Sequence, residues 1–136
     1  MNRILGVDYG ERRIGLALSD PLNIFAKPFR TIDRKITPDF YYEIKKVITE
    51  NSVNQLVVGM PLNMKGLDSK QTIIVRDFVE SLKCKVSIPI HILDERLSSK
   101  SAEQSLIFQN ESPSRNKANI DSTAACLILQ EFLDSK

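Results

Sequence analysis

The sequence predicts an α/β domain with a mixed five-stranded sheet: a three-strand antiparallel meander plus two parallel strands, flanked by helices. Two apolar runs, 3–8 and 13–19, open the chain on either side of a turn at Tyr9-Gly10-Glu11. After them, β-rich runs alternate with segments whose apolar residues recur at helical spacing. No repeat, low-complexity tract or linker interrupts the 136 residues. Residues 1–136 are therefore expected to form one domain around a single core.

The first two runs are joined by so short a turn that they should pair antiparallel. A third strand is expected around 24–31, where Pro28 marks an edge or a bulge. Thr37-Pro38 reads as a helix start, with Thr37 as N-cap and Pro38 at the first helical position. Tyr41, Ile44, Val47 and Ile48 supply that helix's apolar stripe, and Asn51-Ser52 ends it. Residues 55–60 form a short strand stopped by Gly59 and Pro61. Asp68 or Ser69 is placed to cap the next helix, with Gln71 completing a capping box. Its stripe is Ile74, Val75, Phe78, Val79 and Leu82. Residues 89–93 read as a strand ending at Asp94-Glu95. A short helix from Ser98 or Ser99 to about Phe108, a loop over 109–118 and a last helix from about Asn119 to Leu133 complete the chain. Right-handed crossovers put the strands at 55–60 and 90–93 parallel to the first. Their C-terminal ends then share one edge of the sheet, the usual ligand site of an open α/β sheet.

Composition excludes several classes. No stretch approaches the roughly 18 apolar residues of a membrane span, and the start of the chain lacks a signal-peptide pattern. Cys84 and Cys126 have no metal-like spacing and lie among apolar helical residues. They read as reduced, core or near-core thiols of a cytoplasmic protein. A formal charge of +2 does not by itself argue for nucleic acid. The basic residues cluster, however: Arg12 and Arg13 at the first turn, Arg96 and Lys100 after a carboxylate pair, Arg115 and Lys117 in a polar loop.

The carboxylates are the informative residues. Asp8 closes the first apolar run, where a charge is costly unless paired. Asp94 and Glu95 close the strand at 90–93. Asp121 precedes Ala124, Ala125, Ile128 and Leu129 at i+3, i+4, i+7 and i+8, so it lies on the face that its helix buries. The two alanines permit that helix to approach the sheet closely. Separately, Asp8 reads as a turn-capping Asp, Glu95 as a surface ion-pair partner and Asp121 as a residue favouring the helix dipole. Together at one sheet edge they repel one another unless a cation is present. Carboxylates suit Mg²⁺ or Mn²⁺ rather than zinc, and such ions support phosphodiester hydrolysis. His91, inside a strand, reads as a packed residue.

The run from Asp8 to Asp20, DYGERRIGLALSD, resembles the opening motif of the YqgF/RuvX family, described as pre-16S ribosomal RNA nucleases or Holliday-junction-resolvase-like proteins. Val58 to Gly66, Asp94 to Ser99 and Asp121 to Gln130 resemble its second, third and fourth motifs, in order. The resemblance spans essentially the whole chain. It implies an RNase H-like fold and a catalytic, metal-binding set at Asp8, Glu95 and Asp121, with Asp94 as a further metal ligand. Lys65 stands where an acidic residue is common, Ser98-Ser99 replace threonines, and Glu11 is bulky for its turn. These departures leave the carboxylates intact.

The resulting expectation is a metal-dependent nuclease of structured nucleic acid, using Mg²⁺ or Mn²⁺. The family implies processing of the 5′ end of pre-16S rRNA in ribosome biogenesis, in the cytoplasm and in contact with the ribosomal particle. Arg12, Arg13, Arg96, Lys100, Arg115 and Lys117 are the candidate phosphate contacts. A resolvase of four-way DNA junctions is the alternative, and it requires a homodimer where the first reading is satisfied by a monomer. A non-catalytic rRNA-binding assembly factor is another. The hairpin also looks like the phosphate-binding turn of actin-like ATPases, but those clamp nucleotide between two such domains and 136 residues supply one.

Overall fold

The computed structural model describes residues 2–61, 70–94 and 117–135, with residues 117–122 described by their backbone. Strands β1 (Arg3–Tyr9), β2 (Arg13–Ser19) and β3 (Ala26–Asp33) come first. Helix α1 (Phe40–Glu50), strand β4 (Val53–Met60), helix α2 (Lys70–Lys85), strand β5 (Ile90–Asp94) and helix α3 (Lys117–Asp134) follow. The sheet order is β3-β2-β1-β4-β5. β1–β2 and β2–β3 are antiparallel, and β4 and β5 run parallel to β1. The mixed sheet is thus the one expected. Among the described residues, no helix is long and apolar enough to cross a membrane.

Alternation along each strand sorts side chains onto two unequal faces. Leu5, Val7, Ile14, Leu16, Leu56 and Val58 point to one face and pack with Ile44 and Val47 of α1 and Val75, Phe78, Val79 and Leu82 of α2. Ile4, Ala17 and Val57 point to the other and meet Ala125, Ile128, Leu129 and Leu133 of α3. The sheet side of this second layer is built from smaller residues, and α3 lies correspondingly close. A Cβ added to Gly6 would stand 2.8 Å from Leu129 Cβ and 2.9 Å from the Ala125 carbonyl oxygen.

Local chemistry accounts for the edges. Pro28 lies in edge strand β3 at a register shift, with Leu16 opposite Arg30 and Ala17 opposite Pro28. The missing N–H of proline is tolerated there because the ladder is already interrupted. The β2–β3 loop is closed by Asp20, whose carboxylate accepts from the backbone N–H groups of Ile24 (2.7 Å), Phe25 (2.8 Å) and Leu22 (3.4 Å). Buried Ser19 accepts from the Ile4 N–H at 2.8 Å and donates to Asn23 Oδ1 at 2.6 Å. Asn23 holds φ at 57°, a conformation that Asn tolerates better than most residues.

Several expectations need correction. The N-cap of α1 is Asp39, whose side chain accepts from the Tyr42 N–H at 3.3 Å. Thr37 instead uses its N–H to close a turn onto the Asp33 carbonyl at 2.8 Å, so Pro38 precedes the cap. β3 runs on to Asp33, β4 begins at Val53, and α3 begins at Lys117 within the expected loop. Cys84 is exposed on α2, whereas Cys126 is partly buried, as expected, and donates to the Ala26 carbonyl at 3.3 Å. Burial raises the Cys126 thiol pKa. The expected cap at Asp68 or Ser69 and the helix over 98–108 lie outside the described residues.

Gly6→Ala should force α3 and β1 apart and lower unfolding free energy by about 1–3 kcal/mol, read as a reduced urea midpoint. Acid should also find the β2–β3 loop. The bond from the Phe25 N–H, helped by those from Ile24 and Leu22, holds the Asp20 carboxyl below its ordinary value of 3.8. A depressed folded-state pKa means the contribution is full above 3.8 and fades as pH falls through the lower folded value. Asp20→Asn should therefore give a shallower loss of stability below about pH 4 than wild type, measured by denaturant titration across that range.

Candidate active site

The C-terminal ends of β1, β4 and β5 meet at one edge, as the parallel pairings require. Asp8 is half-buried and has the parity of Ile4 and Gly6, so its side chain lies on the α3 face. Its cross-strand partner on β2 is Gly15. On β4, Val58 pairs with Val7, which puts Gly59 at the level of Asp8. Gly6, Gly15 and Gly59 therefore surround Asp8 on three sides, and none adds a side chain. Among the described strand residues, the immediate neighbours of this carboxylate on its face of the sheet are thus glycines.

Helix α3 packs on the same face of the sheet. Ala125 touches Gly6, two residues before Asp8, and Asp121 is one helical turn ahead of Ala125. Asp94 differs. It pairs with Met60, whose side chain lies in the α1/α2 core. Pleating gives Asp94 the parity of Ile90, on that side of the sheet, and β4 intervenes between it and Asp8. The two carboxylates therefore lie on opposite faces of the sheet. Glu95, Arg96, Lys100 and Arg115 lie outside the described residues. Lys117 opens α3. Among the described residues, no group of three or more His, Cys, Asp or Glu side chains is placed to hold a metal ion.

The turn after Asp8 is held from several directions. Gly10 N–H donates to the Arg13 carbonyl at 3.0 Å, and any Cβ on Gly10 would collide with that carbonyl. Gln71 Nε2 donates to the Tyr9 carbonyl at 3.4 Å from α2. Arg34 Nη1 donates to the carbonyls of Gly10 (3.0 Å) and Glu11 (2.8 Å). Its guanidinium lies 4.7 Å from the Tyr9 ring centroid and 5.1 Å from that of Phe40. Tyr9 stacks on Phe78 at 4.0 Å, and burial raises its phenol pKa despite the opposing Arg34 charge. Arg12 pairs with Asp33 at 3.7 Å. Asp33 is held below the usual carboxylate range first by the Lys35 N–H, then by that of Ile36 and by the charges of Arg12 and Arg13. His91 is packed, with Nε2 3.0 Å from Gln55 Oε1 and its ring centroid 4.9 Å from that of Phe132.

Sequence reading missed Arg34, the contact of Gln71 with the turn and the three glycines around Asp8. A signal for Arg34 was present. Antiparallel β3 returns to the level of the first turn, Asp33 opposite Arg13, so a basic residue just beyond it lands beside that turn.

An acid residue at the end of β1, a mixed sheet in this order and a helix closing over the first strand define the RNase H-like class of nuclease folds. Solved structures agree. Residues of this chain superpose on Thermus thermophilus RuvC bound to a Holliday junction substrate with TM-score 0.61 and 11% identity, covering 99% of this chain and 95% of that one. The fowlpox virus Holliday junction resolvase gives 0.58 and 11%, covering 98% of each. The sequence is 40% identical over 131 residues to a Maridesulfovibrio salexigens protein named "Putative pre-16S rRNA nuclease", 96% of this chain and 97% of that protein. A Roseiflexus sp. protein of the same name is 42% identical over 134 residues, 98% and 95%. Residues 2–135 match the model of the RuvX family, described as Holliday junction resolvase. The chain belongs to the RuvX family and is a nuclease by class.

Arg34→Met should remove two bonds to turn carbonyls and lower stability by about 1–3 kcal/mol. Amide exchange should speed up at Gly10 to Arg13 more than in β4, measured by hydrogen–deuterium exchange.

Proposed function

We propose that this protein is a metal-dependent nuclease that hydrolyses phosphodiester bonds of structured RNA, with the 5′ end of precursor 16S ribosomal RNA as its substrate. The observation that carries the reading is Asp8: a half-buried carboxylate on the α3 face, in a patch of sheet bared by Gly6, Gly15 and Gly59. Its proposed partners are Asp121, one turn ahead of the Gly6 contact, and Glu95. Asp94 has the parity of Ile90, on the opposite side of the sheet from Asp8, and is not part of this proposed set. Donors that are all carboxylates fit Mg²⁺ or Mn²⁺, so Asp8, Glu95 and Asp121 would hold the ion. When bound, such an ion supplies Lewis-acid stabilisation of charge developing on the scissile phosphate.

The chain's own residues supply positioning. Asp8 sits at the end of a rigid central strand, and Arg34 and Gln71 fix the turn that follows. Arg12 and Arg13 on that turn, Lys117 at the start of α3, and Arg96, Lys100 and Arg115 are the proposed contacts to phosphates, which orient a strand without reading its sequence. The names of the relatives at 40% and 42% identity support the RNA substrate and a role beside the ribosomal particle in ribosome biogenesis. The free thiols of Cys84 and Cys126 fit the reducing cytoplasm. Four-way DNA junctions are the second reading, favoured by the description of the family. Two symmetric cuts would then require a homodimer.

With Mn²⁺ or Mg²⁺, wild type should cut precursor rRNA, and a chelator should abolish the cut. Asp8→Asn, Glu95→Gln and Asp121→Asn should each reduce the rate by at least about a hundredfold, with melting temperatures preserved. Undiminished cleavage by Asp8→Asn would sink the assignment, and preferential cutting of a four-way junction by a dimer would replace RNA with DNA.

A further inference from the structure

On the α1 side of the turn that follows Asp8 lies an open cleft of about 390 Å³, lined by Glu11, Arg12, Arg34, Lys35, Pro38 and Phe40. We propose that this cleft binds the phosphodiester backbone of the nucleic acid, as a second contact across the turn from Asp8. The nature of the ligand rests on the nuclease reading; the site itself rests on the following geometry.

Three cations line the cleft against one carboxylate. Asp33 stands 3.7 Å from Arg12 beside the cleft, so with Glu11 and Asp33 both counted against Arg12, Arg34 and Lys35 the cations still outnumber the carboxylates. Lys35 is exposed. Arg34 is preorganised: two carbonyls and two aromatic rings fix its plane before any ligand arrives. Both bonds use Nη1, which leaves the Nε and Nη2 protons to other acceptors. A guanidinium held this way loses little entropy on meeting a phosphate.

The same arrangement argues for phosphate over base. Arg34 covers the rings of Tyr9 and Phe40, and Tyr9 stacks on Phe78 as well. Stacking surface is therefore already occupied, and what the cleft offers is donors and charge. Recognition of that kind is tolerant of sequence. The cleft is also close to the proposed chemistry. Glu11 is three positions on from Asp8, a reach of at most about 11 Å. Asp8 faces α3 while the cleft opens toward α1, so a strand crossing the end of β1 would meet both.

The test is binding without cleavage. Full-length protein in chelator is titrated into a fluorescent RNA hairpin, and separately into a four-way DNA junction, over a series of salt concentrations. Lys35→Gln and Arg12→Gln should each weaken binding about fivefold and flatten the slope of log affinity against log salt by about 0.7–0.9. Lys46→Gln, an exposed substitution on α1, is the control. Equal losses on both probes identify the phosphate backbone as the ligand, and a loss confined to one probe assigns the cleft to that nucleic acid. If Lys35→Gln and Arg12→Gln both match Lys46→Gln in affinity and slope, the proposal is overturned. The result is separable from the nuclease reading. Retained cleavage by Asp8→Asn, with weakened binding by Lys35→Gln, would remove the proposed catalytic set and leave the cleft.

Discussion

Helix α3 lies on the sheet at a distance that only glycine permits at position 6, and the rest of the α3 face is arranged around that contact. With 2.8 Å between a virtual Gly6 Cβ and Leu129 Cβ, no side chain separates the helix from the central strand. Ala125 and Ala17 extend the close packing, and both are fully buried. Gln130 fastens the helix to the edge: its Oε1 accepts from the Ala26 N–H at 2.9 Å and its Nε2 donates to the Ile24 carbonyl at 3.0 Å. The side-chain amide thus serves backbone groups that an edge strand would otherwise leave to solvent. These contacts fix the helix from Ala125 to Leu133 against the sheet.

The two faces of the sheet divide the work. Large residues on the α1/α2 side form the main core, including the aromatic cluster of Tyr9, Phe40, Tyr41 and Phe78. Burial there supplies most of the hydrophobic stabilisation, roughly 25 cal/mol for each Å² of apolar surface removed from water. The α3 side is thinner and glycine-rich, and it carries Asp8. The opposite face anchors the strand that carries this carboxylate. Tyr9 links the two. Its ring belongs to the main core, its carbonyl accepts from Gln71, and the next residues are clamped by Arg34. A strand packed on one face thereby presents a functional group on the other with little freedom to move.

Much of this was legible from local pattern. Pro28 announced an edge or bulge because proline lacks the N–H that a central ladder needs, and it proved to be at both. The alanines of the last helix announced a close approach, although Gly6, the other half of that contact, looked like any strand residue. The N-cap of α1 was misplaced because Thr37 is an adequate cap by type, yet its N–H is taken by the Asp33 carbonyl, and Asp39 meets the helix instead. Cys84 was expected near the core because it sits among apolar neighbours, but its helical position turns it to solvent. In the site, Asp8 at a strand end was visible from its costly setting. Arg34 and Gln71 were not, because their partners are 23 and 62 residues away in the chain.

By itself the sequence determined the order of the described elements, the mixed sheet and the family, and it singled out the candidate carboxylates. Those follow from period-two and helical spacing, from turn residues and from motifs, all of which are local along the chain. Tertiary structure alone decided which face each carboxylate occupies. Asp8 and Asp94 both end parallel strands, but the register of β1 on β4 and of β4 on β5 sends one to the α3 side and the other to the α1/α2 side. A difference of one residue in register reverses a side chain's face, and register is set by pairing between distant segments. The cleft beside the turn is likewise tertiary, assembled from the first hairpin, the end of β3 and the start of α1.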